Sequence, residues 1–138
     1  MFERGKVRNR DHAAQLRDFS GLRFGNITPT DVDAIVEFGG RLFIFVELKY
    51  GDAELPRGQR LCLERISDAI NAPPNRRSIV LVAKHNDATG DVDCAAAKVV
   101  EYRWNGVWRH EFRTSITVRM AIDSMLLRLG GVQHGTSA

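Results

Sequence analysis

Two apolar segments separated by a pair of glycines constrain the fold of this chain more than any other feature. Residues 32–38 and 42–50 are rich in Val, Ile and Phe, which favour extended strands, and Gly39-Gly40-Arg41 lies between them. A short connection containing glycine between two strand-like runs predicts an antiparallel hairpin. We therefore expect a β-sheet built around the middle of the chain.

Helices and further strands are predicted on both sides of this hairpin. Apolar residues at helical spacing indicate helices over 9–19, 58–70 and 115–129, and compact apolar runs indicate a strand over 78–84 and a second hairpin over 98–102 and 107–112. The order is helix, two antiparallel strands, helix, strand, hairpin, helix. It predicts an α/β fold in which helices flank a central mixed sheet. The expected buried stripe of the middle helix is Cys62, Ile66, Ala69 and Ile70, with Gln59 on the same side.

The size and composition of the chain predict one domain without a membrane span. A chain of 138 residues with 43% apolar residues can bury one core, over residues 1–131, and the polar residues 132–138 are expected to form a flexible tail. The longest apolar runs, Leu42–Val46 and Ile79–Ala83, have five residues each, whereas a membrane helix needs roughly 20. The N-terminal residues lack the apolar stretch of a signal peptide, so a cytoplasmic location is expected.

Basic residues are concentrated at the two ends of the chain. Residues 1–23 carry six Arg or Lys against three acids, residues 98–138 also carry six against three, and the middle carries eight against eleven. Basic side chains gain free energy by displacing counterions from a phosphate backbone, so a polyanionic partner is one interpretation. Ordinary solvated faces are the other.

Three carboxylates and a lysine cluster at one end of the first hairpin. Asp31 and Asp33 precede the first strand, and Glu47 and Lys49 lie near the end of the second. Charges beside so apolar a strand are costly unless they are paired or bind a metal. A two-residue turn would place Asp33 opposite Val46, with the acids on opposite faces.

A three-residue loop over 39–41 would instead place Asp33 opposite Glu47 and Asp31 opposite Lys49. Only this register builds a site, and we therefore predict this loop or an equivalent bulge. Converging carboxylate oxygens suit Mg²⁺, for which Mn²⁺ can substitute, and leave positions for water and phosphate. A neighbouring ammonium can orient the attacking water and neutralise developing charge, so the arrangement predicts phosphodiester hydrolysis.

These residues resemble the PD-(D/E)xK nuclease superfamily, which has the restriction-endonuclease-like fold. The resemblance runs over Thr28–Ile35, Leu42–Lys49 and Gly58-Gln59, and the fourteen positions from Asp33 to Glu47 fit the family spacing. It implies a core of helix, three strands, helix and strand, here followed by a C-terminal hairpin and helix. It also implies that Asp33 and Glu47 bind metal, with Asp31 as the fallback ligand, and that Lys49 acts on water.

Gln59 resembles a glutamine that several branches of the superfamily place beside the site, although Leu63 stands where one branch has a tyrosine. Many members add a carboxylate from the first helix. Asp11, Asp18 and Glu3 are the candidates, and the sequence does not choose among them.

The expected substrate is DNA, with RNA as the alternative polymer. No second recognition module is visible in the sequence, so the resemblance favours selection by nucleic-acid structure, as in resolvases, or recruitment by a partner protein in a bacterial or phage-infected cell. A homodimer is a further expectation, because cutting both strands needs two sites. The alternative function is a non-catalytic nucleic-acid-binding or interaction module on the same fold. Candidate phosphate contacts are Arg8, Arg10, Arg76, Arg77 and Lys84.

Overall fold

The computed structural model of the chain describes residue 6 and residues 10–15, 18–110, 112 and 114–129. Glu3, Arg8 and the predicted tail at 132–138 lie outside the described residues. The chain divides into two compact units, Met1–Thr30 and Asp31–Ala138. In the described part of the chain, no helix is both long and apolar enough to cross a membrane.

The first unit contains a shorter helix than the one predicted over residues 9–19. Helix α1 covers Arg10–Ala14, and a 3-10 turn follows at Ser20–Leu22. The Asp18 carboxylate accepts hydrogen bonds from the Ser20 backbone N–H at 3.1 Å and from its hydroxyl at 2.7 Å. These bonds lower the pKa of Asp18. A side chain that satisfies the backbone locally competes with continuation of a helix, so these bonds favour a turn at the end of the predicted range.

The second unit is a five-stranded mixed sheet with two helices, which confirms the predicted α/β class. The strands follow one another across the sheet in chain order, and only the second and third are parallel. The elements are β1 (Ala34–Phe38), β2 (Leu42–Tyr50), α2 (Arg57–Asn71), β3 (Arg77–His85), a 3-10 turn (Cys94–Ala96), β4 (Lys98–Trp104), β5 (Val107–Arg109) and α3 (Val118–Leu129).

Two strands precede α2 among the described residues, whereas the family resemblance implied three. The sequence upstream of β1 forms only an isolated bridge between Phe24 and Ile27, closed by Gly25 at a φ of +64°. Pro29 follows two residues later, and proline lacks the N–H that a ladder needs. The order that the residue pattern predicted, with two strands before the helix, is therefore the one observed.

The predicted three-residue loop between β1 and β2 is confirmed. Phe38 pairs with Leu42, and the Arg41 N–H donates to the Phe38 carbonyl at 3.0 Å. Gly39 and Gly40 have φ angles of +56° and +71°, which only glycine adopts without strain. Because Ala34 pairs with Val46 in this register, the next residues outward, Asp33 and Glu47, face each other.

The buried core lies on both faces of the two central strands. One face packs against α3 and the other against α2 through Leu63. The buried residues of α2 are Gln59, Leu63 and Ser67, which confirms the inward side predicted for Gln59. Of the predicted stripe, Ile70 packs against the core and Cys62 is half-buried, whereas the prediction is wrong for Ile66 and Ala69, which are exposed. The sheet offers a polar partner here, because the hydroxyl of Ser67 bonds that of Ser78 at 3.0 Å. The small polar side chain therefore faces the sheet and Ile66 is 40% exposed.

We expect Leu63→Ala to lower the free energy of unfolding by about 2–4 kcal/mol, because Leu63 is 2% exposed and joins α2 to the sheet. Ile66→Ala, on the same helix, should cost less than about 1 kcal/mol. Urea unfolding of both variants measures the difference. A larger loss in the Ile66 variant would contradict the observed orientation of α2.

Candidate metal centre

The Asp33 and Glu47 carboxylates meet at the open end of the first hairpin. Asp33 lies just before β1, and its Oδ2 accepts a hydrogen bond from the Leu48 N–H at 2.7 Å. In return, the Asp33 N–H lies 3.4 Å from Glu47 Oε2. Each carboxylate is thus held by the backbone of the other strand, which fixes both acids with little freedom of rotation. The hydrogen bond from the Leu48 N–H could not be predicted from the pattern of side chains.

Glu47 lies in an environment that disfavours its charge. The residue is 3% exposed. Burial raises the pKa of Glu47 to about 7, and the negative charge of Asp33 acts in the same direction, while Gln59 and Lys49 oppose the shift. Asp33 itself is exposed, so the strain lies in a buried carboxylate next to a second negative charge, which a proton or a cation relieves. A divalent cation carries more positive charge than a proton. The two carboxylates therefore fit a divalent metal ion, which would compensate both of their charges.

Lys49 lies beside Glu47, as strand alternation predicts. Its Nζ is 3.6 Å from Glu47 Oε1 and 3.4 Å from Gln59 Oε1, and its side chain is 17% exposed. An ammonium held by two acceptors has a restricted position but keeps one side open to solvent. It can therefore contact a bound molecule without leaving Glu47.

Gln59, in the first turn of α2, links Lys49 to Asp31. Its Nε2 donates to the Asp31 carbonyl at 2.9 Å and lies 3.3 Å from Asp31 Oδ1, while its Oε1 faces Lys49. The N–H and the carbonyl oxygen of the Gln59 amide thus both have hydrogen-bond partners, which explains why this polar side chain lies on the buried face of the helix. The structure places Asp31 next to Gln59 and therefore at the edge of the cluster.

Two carboxylates form the core of this candidate centre. Within the described residues, no group of three or more His, Cys, Asp or Glu side chains is arranged to hold a metal ion. Mg²⁺ is commonly bound through one or two protein carboxylates, with water and substrate phosphate completing its six positions. Asp33 and Glu47 fit that mode of binding, with hard oxygen donors only.

The thiol of Cys94 lies close enough to Asp33 for the two groups to interact electrostatically. Cys94 lies in the 3-10 turn before β4. Burial raises the pKa of its thiol, and the charges of Asp33 and Asp93 raise it further. The neutral thiol is therefore favoured in this fold, and Mg²⁺ prefers the hard oxygen donors of the carboxylates.

The predicted phosphate contacts are dispersed. Lys84 pairs with Lys49 across β2 and β3 and so lies at the candidate centre. Arg76 and Arg77 lie at the other end of β3, and the Arg77 guanidinium is used by backbone carbonyls of the preceding loop. Arg10, like Asp11 and Asp18, belongs to the first unit.

Sequence reasoning missed a second charged cluster between α2 and the end of the sheet. Glu101 of β4 is buried, and its carboxylate is bound by Arg60 at 2.5 and 3.3 Å and by His110 Nε2 at 2.7 Å. A cavity of about 360 Å³ lies against this cluster and extends to Lys49 and Lys84. A glutamate that directly follows two valines in a predicted strand was the available signal.

Comparison of the chain with models of protein families, with curated proteins and with solved structures gives no match. The assignment of a function to this centre therefore rests on its residues and their geometry.

Proposed function

We propose that this protein is a Mg²⁺-dependent nuclease that hydrolyses DNA phosphodiester bonds on a restriction-endonuclease-like fold. The observation that carries the proposal is the opposition of Asp33 and Glu47 across the hairpin, with the Lys49 ammonium 3.6 Å from Glu47. Burying the Glu47 carboxylate beside the charge of Asp33 is costly to fold unless a cation compensates it. The two acids and the lysine match what hydrolysis of a phosphodiester requires.

Each residue has a role that follows from its position. Asp33 and Glu47 hold the cation, which, when bound, supplies a Lewis acid for water and for the attacked phosphate. Lys49 faces the same space, orients the attacking water and stabilises the negative charge that develops on the phosphate oxygens. Gln59 fixes the Lys49 ammonium and is a positioning residue.

The test is incubation of the purified protein with labelled linear, single-stranded, flapped and four-way-junction DNAs. Each is tested with Mg²⁺, with Mn²⁺ and with EDTA, beside the Asp33→Asn and Lys49→Ala variants. We expect cutting that requires the divalent cation and is lost in both variants. The preferred substrate then shows whether the enzyme selects DNA structure.

A protein that binds these DNAs equally with Mg²⁺ and with EDTA, and leaves them intact, would contradict the proposal. That outcome would favour the non-catalytic module on the same fold. Cutting that persists in both variants would equally contradict it, because it would place the active residues elsewhere or reveal a contaminating nuclease.

A further inference from the structure

We propose that Lys84 and Lys98 continue from Lys49 as a row of ammonium groups that binds the phosphate next to the one being cleaved. This inference rests on the proposed nuclease function and specifies its substrate. The strand is recognised through at least two consecutive phosphates, one at the carboxylates and one at the row.

The strand register places the three lysines side by side. Lys49 of β2 pairs with Lys84 of β3, and Lys84 pairs with Lys98 of β4. Directly paired residues project from the same face of a sheet. Because neighbouring strands are about 4.8 Å apart, the row extends roughly 10 Å across the sheet.

The packing identifies this face as the one that carries α2. Val82, two residues before Lys84, belongs to the core cluster formed with Leu63 of α2. Val99, the neighbour of Lys98, belongs to the opposite cluster, so Lys98 projects to the α2 side. The row therefore lies on the same face as Glu47, which alternates with Lys49 on β2.

The outer two lysines have no acidic partner among the residues that the structure describes. Lys49 contacts Glu47, whereas no described carboxylate lies within ion-pair distance of Lys84 or Lys98. Like charges in directly paired positions repel each other and destabilise a sheet. A bound anion would remove that repulsion, whereas a solvated surface gives no reason for three lysines in register.

The cavity next to the row gives an anion room to approach. It has a volume of about 360 Å³ and is lined by Lys49 and Lys84. Glu101 also lines it, but its carboxylate is already bound by Arg60 and His110 and so does not neutralise the lysines.

The lining of the cavity also carries negative charge. Asp52 and Glu54 lie on the exposed loop between β2 and α2 and line the cavity there. They repel a phosphate backbone, which therefore favours the part of the cavity next to the lysines. The row thus gives the bound strand a direction across the sheet, from the end of β2 towards β4.

The first test is binding of a fluorescein-labelled single-stranded oligonucleotide in EDTA, where cleavage does not interfere. We expect Lys84→Gln and Lys98→Gln each to weaken binding, and the double variant to reduce the slope of log affinity against log salt by about 0.7, the value for one phosphate contact on a single strand. At roughly 0.1 M salt this corresponds to about fivefold weaker binding. Lys84→Arg should restore most of the affinity.

Arg65→Gln is the matched control, because it removes one positive charge from the exposed side of α2. An equal loss of affinity in this variant would show that the protein attracts the oligonucleotide through its overall positive charge, and would overturn the proposed binding by the row. Unchanged binding in both lysine variants would overturn it as well. These binding results do not depend on catalysis. If the protein cuts no substrate, the nuclease proposal is refuted, but the binding measurements still test the lysine row.

The second test uses cleavage of an oligonucleotide that carries a neutral methylphosphonate on one side or the other of the scissile bond. On the side that the row contacts, this change should raise KM for the wild type, and Lys84→Gln should add little to it. If the methylphosphonate and Lys84→Gln instead raise KM independently on either side of the scissile bond, so that their effects multiply, Lys84 does not contact that phosphate and the proposal is overturned. Loss in kcat alone would do the same, because a flanking contact acts on binding.

Discussion

Glu47→Gln is expected to stabilise the metal-free protein by about 2–3 kcal/mol near pH 8 while it abolishes metal-dependent cleavage. Glutamine has the shape of the protonated glutamate and carries no charge. It therefore removes the repulsion from Asp33 and the cost of burying a carboxylate that is 3% exposed. The same substitution removes an anionic oxygen from the candidate metal centre.

The pH dependence follows from the pKa of Glu47, which rises from 4.5 to about 7 on folding. Between these values the folded state holds a proton that the unfolded state has released. The stability of the wild type therefore falls as pH rises through this range, by at most about 3.5 kcal/mol at 1.4 kcal/mol per pH unit. The glutamine variant lacks this loss, so most of its advantage should disappear near pH 5.

Urea unfolding at about pH 5 and pH 8 in EDTA measures both effects. Glu54→Gln, on an exposed loop, is the control and should change stability by less than about 0.5 kcal/mol at either pH. A Glu47→Gln variant that is less stable than the wild type at the higher pH would show that the carboxylate is satisfied in the metal-free fold. The main physical argument for a cation at this position would then fail.

The sequence was sufficient to predict the hairpin and its register. Alternation along β2 requires Glu47 and Lys49 to share a face, and a glycine pair permits the three-residue loop that brings Asp33 opposite Glu47. Both arguments are local, because strand periodicity and turn geometry involve residues close together in the chain. Local rules therefore limited the register to two choices, and the requirement that the acids form a site selected the one observed.

The orientation of α2 was not predictable in the same way. An apolar pattern selects Ile66 and Ala69, but the sheet beneath the helix presents Ser78, and its hydroxyl pairs with Ser67. The Glu101 cluster is a similar case, because its partners Arg60 and His110 come from distant parts of the sequence. Which polar side chains meet depends on the tertiary packing, and periodicity within one element does not contain that information.

Lys49→Ala is expected to reduce metal-dependent cleavage by about 10²–10⁴-fold and yet to bind Mg²⁺ at least as tightly as the wild type. The Lys49 ammonium lies 3.6 Å from Glu47, so it repels a cation bound by that carboxylate. Removing it therefore relieves a repulsion in the metal complex. The same ammonium is the group placed to act on water and phosphate, so the chemistry is lost.

Asp33→Asn should lose both properties, because it removes one of the two carboxylates that hold the cation. Calorimetric titration of Mg²⁺ into each protein near pH 8, beside cleavage of the preferred DNA, separates the two roles. Parallel loss of metal affinity and cleavage in the Lys49 variant would mean that this lysine maintains the carboxylates rather than acting on substrate. Retained Mg²⁺ affinity in Asp33→Asn would move the cation to other ligands, since Glu47 alone offers only one carboxylate.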